Sequence, residues 1–126
     1  MMLFRLLLVL WQLPQEILGF ILSRGRVRHE EYGISYYRWK LGSSISLADF
    51  RILGDESVLF HEYGHSVQSL YLGPLYLIVI GLPSIVWCTI RSYTPLFRHV
   101  DYLSFYTERW AENLGRKKAL RISQGR

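Results

Sequence analysis

Apolar residues gather in two blocks of this chain, near residues 1–22 and 70–90, with polar and aromatic stretches between and after them. The first block, MMLFRLLLVLWQLPQEILGFIL, is interrupted by Gln12, Pro14, Gln15 and Glu16 and then resumes to Leu22. A cleaved leader has a short apolar core and a small-residue cleavage site, and neither fits this pattern. Residues 1–23 read instead as an N-terminal membrane helix, long enough to span. Pro14 and Glu16 make it a poor simple span, so it is either a kinked span or a helix lying partly in the interface. Arg24, Arg26 and Arg28 then form a basic stop.

Residues 30–53 change character. YGISYYRWKLGSSISLADFRIL is rich in Tyr, Ile and Trp around Gly42-Ser43-Ser44. It reads as a β-hairpin, Gly33–Leu41 paired with Ile45–Leu53. Helical patterning follows over 55–72, with Asp55 as N-cap, Glu56 in the first turn and Gly73-Pro74 as the stop. A second apolar helix is expected over 75–91, broken by Gly81 and Pro83. A last helix covers 102–115, ending at Gly115, and 116–126 form a basic tail, frayed at its end. The chain is thus α+β, mainly α: membrane-associated helices with one β-hairpin, in a single domain over 1–126. No internal repeat or low-complexity segment is visible.

Composition sharpens the class. At 126 residues the chain is one domain's worth. Half of it is hydrophobic, with 9 Tyr, 6 Phe and 4 Trp, which favours association with a lipid membrane over free solubility. The formal net charge is +5. These basic residues flank the apolar blocks, and no nucleic-acid signature accompanies them, so anionic lipid is the expected counterpart. Cys88, the single cysteine, lies in the apolar run IVWCTI. It can form no internal disulfide and no Cys cluster for zinc, and small buried packing is its expected role.

Chemistry concentrates in His61-Glu62-Tyr63-Gly64-His65. On a helix, positions i and i+4 share a face, so His61 and His65 can point at one ion. Zinc accepts imidazole nitrogen well. Glu62, one residue after the first His, can reach a water beside the metal and act as general base. A hydrolytic site needs a third protein ligand. No downstream His continues the metzincin pattern, and His99 is the only later histidine. In TERWAENLG, Glu108 and Glu112 lie one helical turn apart. One can bind the metal while the other accepts the free ring N–H of a ligand His. The plainer reading is a solvated helix face, with Arg109 and Arg116 pairing these acids. Tyr102, Tyr106 and His99 are candidate oxyanion donors by proximity in sequence to Glu108.

HEYGH followed by Glu108-Arg-Trp-Ala-Glu112 resembles the gluzincins, in which HExxH is completed by a Glu on a later helix. Thermolysin-like peptidases carry ExxxD with a Gly three positions on, a spacing kept by Glu112 and Gly115. The CAAX prenyl protease and its heat-shock membrane relatives carry ExxAD, which Ala111 fits. This resemblance implies a minimal zincin-like fold with Zn2+ held by His61, His65 and Glu108, and Glu112 behind them. Glu112 stands where those families have Asp, a longer arm. The resemblance covers 61–65 and 108–115 only. The chain also looks like a group of small bacterial membrane proteins with HEYGH…GPLYL, which supply no substrate.

Glu108 must return to the histidines, so 55–72 and 75–91 are expected to form a helical hairpin with arms of roughly 25 Å. Ser66, Gln68 and Ser69 argue that the first arm faces protein or a wet cavity. All Lys and Arg except Arg5 lie in 24–51 or 91–126, which places the site on the cytoplasmic face of a bacterial inner membrane. An edge strand, Ile45–Leu53, could align an extended peptide or simply cover the helices. The leading expectation is a membrane-associated zinc metallopeptidase acting on a peptide or protein. The alternatives are a zinc-binding membrane protein without hydrolysis, or a subunit contacting a membrane-protein partner.

Overall fold

The chain is mainly helical with a small mixed four-stranded sheet, as described for residues 2–40, 44–93, 95 and 100–124 of a computed structural model. The first apolar block is two helices, α1 (Met2–Trp11) and α2 (Leu13–Ser23), that meet at 92°. Of the two forms expected for 1–23, the segment is thus kinked, and the kink is a full break between two helices. Pro14 sits in the first turn of α2, where its missing N–H costs nothing. The glutamines at the bend are buried. Gln15 Nε2 donates to Ser69 Oγ at 2.9 Å and to the Gly73 carbonyl at 2.7 Å. Ser69 Oγ donates to Gln12 Oε1, and the Trp11 indole N–H donates to the Leu70 carbonyl at 2.9 Å. The polar interruption is therefore an anchor: these hydrogen bonds from its buried side chains hold the bend, and Gln15 Oε1 alone of their oxygens is buried without a partner. Among the described residues no single helix is long and apolar enough to cross a membrane.

The expected pairing of Gly33–Leu41 with Ile45–Leu53 does not form. Strands β1 (His29–Glu31), β2 (Ile34–Arg38), β3 (Ile45–Leu47) and β4 (Phe50–Leu53) lie in the order β1-β2-β4-β3. Two short antiparallel hairpins, β1–β2 and β3–β4, are joined by parallel pairing of β2 with β4, Tyr37 opposite Ile52. Each hairpin closes through two residues. Tyr32 and Gly33 both have positive φ, 55° and 76°, as a type I′ turn requires, and Ala48 has φ 57°. Of the expected loop Gly42-Ser43-Ser44, Gly42 and Ser43 lie outside the described residues, as does Leu41 before them, and Ser44 Oγ accepts from the Gly54 amide at 2.9 Å. Ile34, Tyr36, Leu53 and Leu59 form the core between the sheet and the helix that follows.

That helix, α3, covers Leu59–Leu72. Asp55 caps the 3₁₀ turn Glu56–Val58 leading into it, accepting from the Ser57 amide at 3.0 Å. Gly73 ends it as expected, with φ 56°. The next apolar segment is helical from Leu77 to Tyr93, beginning as a π-helix (Leu77–Gly81) and continuing as α4 (Leu82–Tyr93). Pro83 has no amide to offer the Val79 carbonyl four residues back, and Tyr106 Oη donates to that oxygen at 2.7 Å. Trp87 stacks on Phe105 at 5.0 Å and donates to the Tyr102 carbonyl, and Arg91 Nε donates to the Val100 carbonyl. These contacts deliver the chain to α5, Tyr106–Gln124. The expected stop at Gly115 is corrected, and with it the reading of 116–124 as a tail; the end expected to fray, 125–126, lies outside the described residues. Gly115 is interior to α5, and Arg116–Gln124, rich in helix formers, carries the helix on.

Candidate metal centre

The site rests on one close helix crossing. An added Cβ on Gly64 would lie 1.9 Å from the Ala111 carbonyl oxygen, and one on Gly115 would lie 2.1 Å from that of Phe60. Only glycine permits this approach of α3 to α5. The contacts along the crossing pair His61 with Glu112, His65 with Glu108 and Gln68 with Thr107. One series rises as the other falls, so the helices run antiparallel. His61, His65 and Glu108, expected from the sequence as a ligand set, are brought together with donor atoms within 4.8 Å of one another.

Both rings turn the same nitrogen inward. His61 Nε2 and His65 Nε2 lie 2.9 and 3.0 Å from the same atom, Glu108 Oε1. Each Nδ1 has its own partner: Glu112 Oε1 at 2.9 Å for His61, and Gln68 Oε1 at 2.7 Å for His65. The carboxylate of Glu112 can only accept. Gln68 Nε2 donates to the Thr107 carbonyl at 2.9 Å, which fixes its oxygen toward His65. Both Nδ1 atoms therefore donate, and in the neutral rings both Nε2 atoms present lone pairs. Three lone-pair atoms converging in a buried site need a cation between them. Bonds of about 2.0–2.2 Å to a tetrahedral ion would open these separations by a few tenths of an ångström. The residues fit a metal ion.

Without an ion, protons on the imidazoles take the cation's place and bridge them to Glu108. Burial opposes charge on His61, but the hydrogen bond to Glu108 and the charge of Glu62 outweigh it and raise its pKa to about 9. His65 is raised against burial by the same two neighbours. Burial works against the charge on Glu108, yet hydrogen bonds from both histidines hold its carboxyl well below the usual range. Its second oxygen accepts from Thr107 Oγ1 at 2.9 Å, which in turn accepts from Ser84 Oγ at 2.9 Å.

Glu62, the expected base, is buried and outside the ligand group. Ser46 Oγ lies 2.6 Å from its carbonyl oxygen and 3.1 Å from its Oε1. Behind it, the buried Arg51 donates to the Ser35 carbonyl and to Ser66 Oγ and lies 5.7 Å over the Tyr63 ring. Strand β4 is interior to the sheet, so Ile45–Leu53 is no single edge strand. Within that stretch the edge strand is β3, and Tyr76 Oη donates to its Ser46 carbonyl at 2.9 Å.

Glu112 occupies the place expected for it and also accepts from Arg116 Nε at 3.3 Å, so the anticipated surface pair coexists with the site contact. Of the oxyanion candidates, Tyr106 is engaged with Val79 and His99 lies outside the described residues. Tyr102 sits beside Glu108; burial first, then that carboxylate's charge, raises its phenol. Sequence reading missed Ser46, Ser84 and Thr107 as site residues, and placed Gln68 only as a polar residue facing inward. Gln68, three positions beyond His65 on the same helix face, carried the one available signal. No family model, curated protein or solved structure matches the chain.

Proposed function

We propose that this chain is a membrane-associated zinc-dependent metallopeptidase, a minimal zincin-like fold in which His61, His65 and Glu108 hold Zn2+. The observation that carries the reading is the convergence of two Nε2 lone pairs on Glu108 Oε1, with both Nδ1 atoms held from behind. Two imidazoles and one carboxylate leave a fourth position open, the donor set of hydrolytic zinc. Zinc bound there supplies Lewis acidity, acidifying water and polarising a peptide carbonyl.

Glu62 is the base. Ser46 engages its Oε1, which leaves Oε2 to take a proton from the attacking water as the oxygen–carbon bond forms. The same carboxyl returns that proton to the leaving amine as the carbon–nitrogen bond breaks. Glu112 and Gln68 keep each imidazole in the tautomer that presents Nε2 inward. Exposed apolar side chains on α1, α2 and the Leu77–Tyr93 helix support the membrane association, and the clustering of Lys and Arg supports a cytoplasmic site.

A second reading, a structural zinc tying α3 to α5, is favoured by burial: the side chains of Glu108, His65 and His61 are 1%, 7% and 11% exposed. Glu62→Gln separates the two. In detergent-solubilised protein it is expected to keep one zinc per chain and to lose cleavage of a fluorogenic peptide library by at least about a hundredfold. Cleavage surviving in Glu62→Gln would remove the base assignment. Zinc bound without cleavage in either form would leave the structural role.

A further inference from the structure

Among the described residues no single helix is long and apolar enough to cross a bilayer. α1 has 10 residues and α2 has 11, about 15 and 17 Å of helix against a hydrocarbon core of about 30 Å. Together they pass for a span in length and composition, but they meet at 92°. The bend is built in. Trp11, Gln12 and Gln15, at the corner, hydrogen-bond Ser69, Leu70 and Gly73 at the end of α3. The Trp11 indole also fills the space beside Gly73, where an added Cβ would lie 2.3 Å from it. Straightening the pair would strip these buried amides of their partners.

The surface around this corner is apolar. α1 buries none of its residues, and Phe4, Leu7, Leu10, Ile17, Phe20 and Ile21 are all exposed. The helix Leu77–Tyr93 leaves from the same corner, through Gly73–Leu75, with Ile78, Leu82 and Ile85 exposed. Arg24, Arg26 and Arg28, all exposed, follow where α2 ends.

We propose that α1 and α2 form an in-plane, re-entrant element, seated in one leaflet of an anionic bilayer, with the first residues on the same side as the metal site. This rests on the membrane reading above and replaces a span by a monotopic anchor. The occupant follows from length, bend and charge. A single leaflet accepts helices of this size lying in it, and the arginines border it where anionic headgroups lie.

The test uses the full chain, with Cys88→Ala as background and two labelling positions. One is a polar cysteine-bearing tag placed ahead of the first residue. The other is Glu30→Cys on exposed β1. A membrane-impermeant maleimide is applied to intact spheroplasts and to permeabilised ones. Labelling of both positions under the same condition is the expected result; labelling of the two from opposite faces overturns the proposal. Purified protein is also floated on vesicles. Binding about tenfold or more tighter to phosphatidylglycerol-containing vesicles than to pure phosphatidylcholine, reduced by salt, is expected. Equal binding to both overturns the anionic occupant. A stable dimer that floats on neither removes the membrane reading itself, whatever the labelling shows.

Discussion

Replacing Gly64 by Ala adds one methyl group at the point on which the metal site depends. Its carbon would lie 1.9 Å from the Ala111 carbonyl oxygen, where real contacts do not fall under 3.0 Å. The obstacle is helix backbone, which cannot swing aside as a side-chain tip can. α3 and α5 must therefore part by about 1 Å or more. Alanine improves helix propensity by up to about 1 kcal/mol, while overpacking costs about 1–3 kcal/mol. The fold is expected to survive, weakened by about 1–2 kcal/mol. The metal site is not. Glu108 rides on α5 and the histidines on α3, so a shift of about 1 Å takes one ligand out of reach of bonds of about 2.0–2.2 Å. Zinc affinity, measured by competition with a chromophoric chelator, is expected to fall at least about a hundredfold. Circular dichroism should show the helical content retained. Gly81→Ala is the control, because its nearest neighbour is the Leu77 side chain at 3.6 Å; zinc affinity there should not change. Wild-type zinc affinity in Gly64→Ala would refute the close crossing as the origin of the site.

Three further outcomes follow from the same geometry. Gln68→Met removes the acceptor behind His65 at nearly constant volume, so zinc affinity should drop about 10–100-fold with the fold kept; chelator competition reads this directly. In chelator-treated protein, His61 at about pKa 9 stands above its ordinary 6.5, so its contribution to stability is complete below pH 6.5 and is lost as pH rises through 9. Glu108 is lowered from 4.5, so its contribution is present above pH 4.5 and is lost only in stronger acid. Thermal melts of the metal-free protein should therefore be highest between about pH 4.5 and 6.5 and fall toward pH 9, and a Tm that rises over that upper range would contradict the proton-bridged triad. Tyr106→Phe should cost about 0.5–1.5 kcal/mol by freeing the Val79 carbonyl, with zinc binding and peptide turnover intact; a loss of turnover at unchanged stability would return Tyr106 to the chemistry.

What was legible in the sequence is what local periodicity carries. The spacing of His61 and His65 needs only a helix to make them neighbours, and Asp55 and Gly73-Pro74 bound that helix. The helical pattern put Glu108 and Glu112 one turn apart and left open which would face the histidines; the choice of Glu108 came from the resemblance to the gluzincins. Gly115 was misread, since a glycine late in a helical pattern looks like a terminus. Its actual partner, the Phe60 carbonyl, is remote in sequence and leaves no local trace. The hairpin failed for a related reason. Alternation locates strands but not their partners, and Tyr32-Gly33 and Ala48-Asp49 are weak turn signals beside Gly42-Ser43-Ser44. The parallel pairing of β2 with β4 is a tertiary fact. Gln12 and Gln15 were visible as interruptions, but their meaning lay in Ser69 and Gly73, where buried amides find their partners.

The polar residues of α3 divide along its length, and that division ties the chemistry to the proposed membrane seat. Glu62 and Ser66 face the sheet through Ser46 and Arg51; His61, His65 and Gln68 face α5; Ser69 faces the corner of α1 and α2. One helix thus touches the proposed base, the candidate ligands and the proposed anchor. From His65 to Ser69 is a single helical turn, about 5–6 Å. If the corner of α1 and α2 sits at a fixed depth in a leaflet, α3 holds the metal site at a fixed height above it, with no flexible linker between. Under the proposed peptidase activity, the substrate would then be a peptide bond near the bilayer surface. Moving the site relative to the membrane would mean breaking the buried amide contacts of Gln12 and Gln15. On this reasoning a Gln12→Ala/Gln15→Ala double variant should keep its affinity for zinc in detergent. It should lose activity toward membrane-tethered peptides more than toward soluble ones. No loss on either would show that the anchor and the site are independent, and an equal loss on both would show that the contacts support the site itself and do not set its height above the membrane.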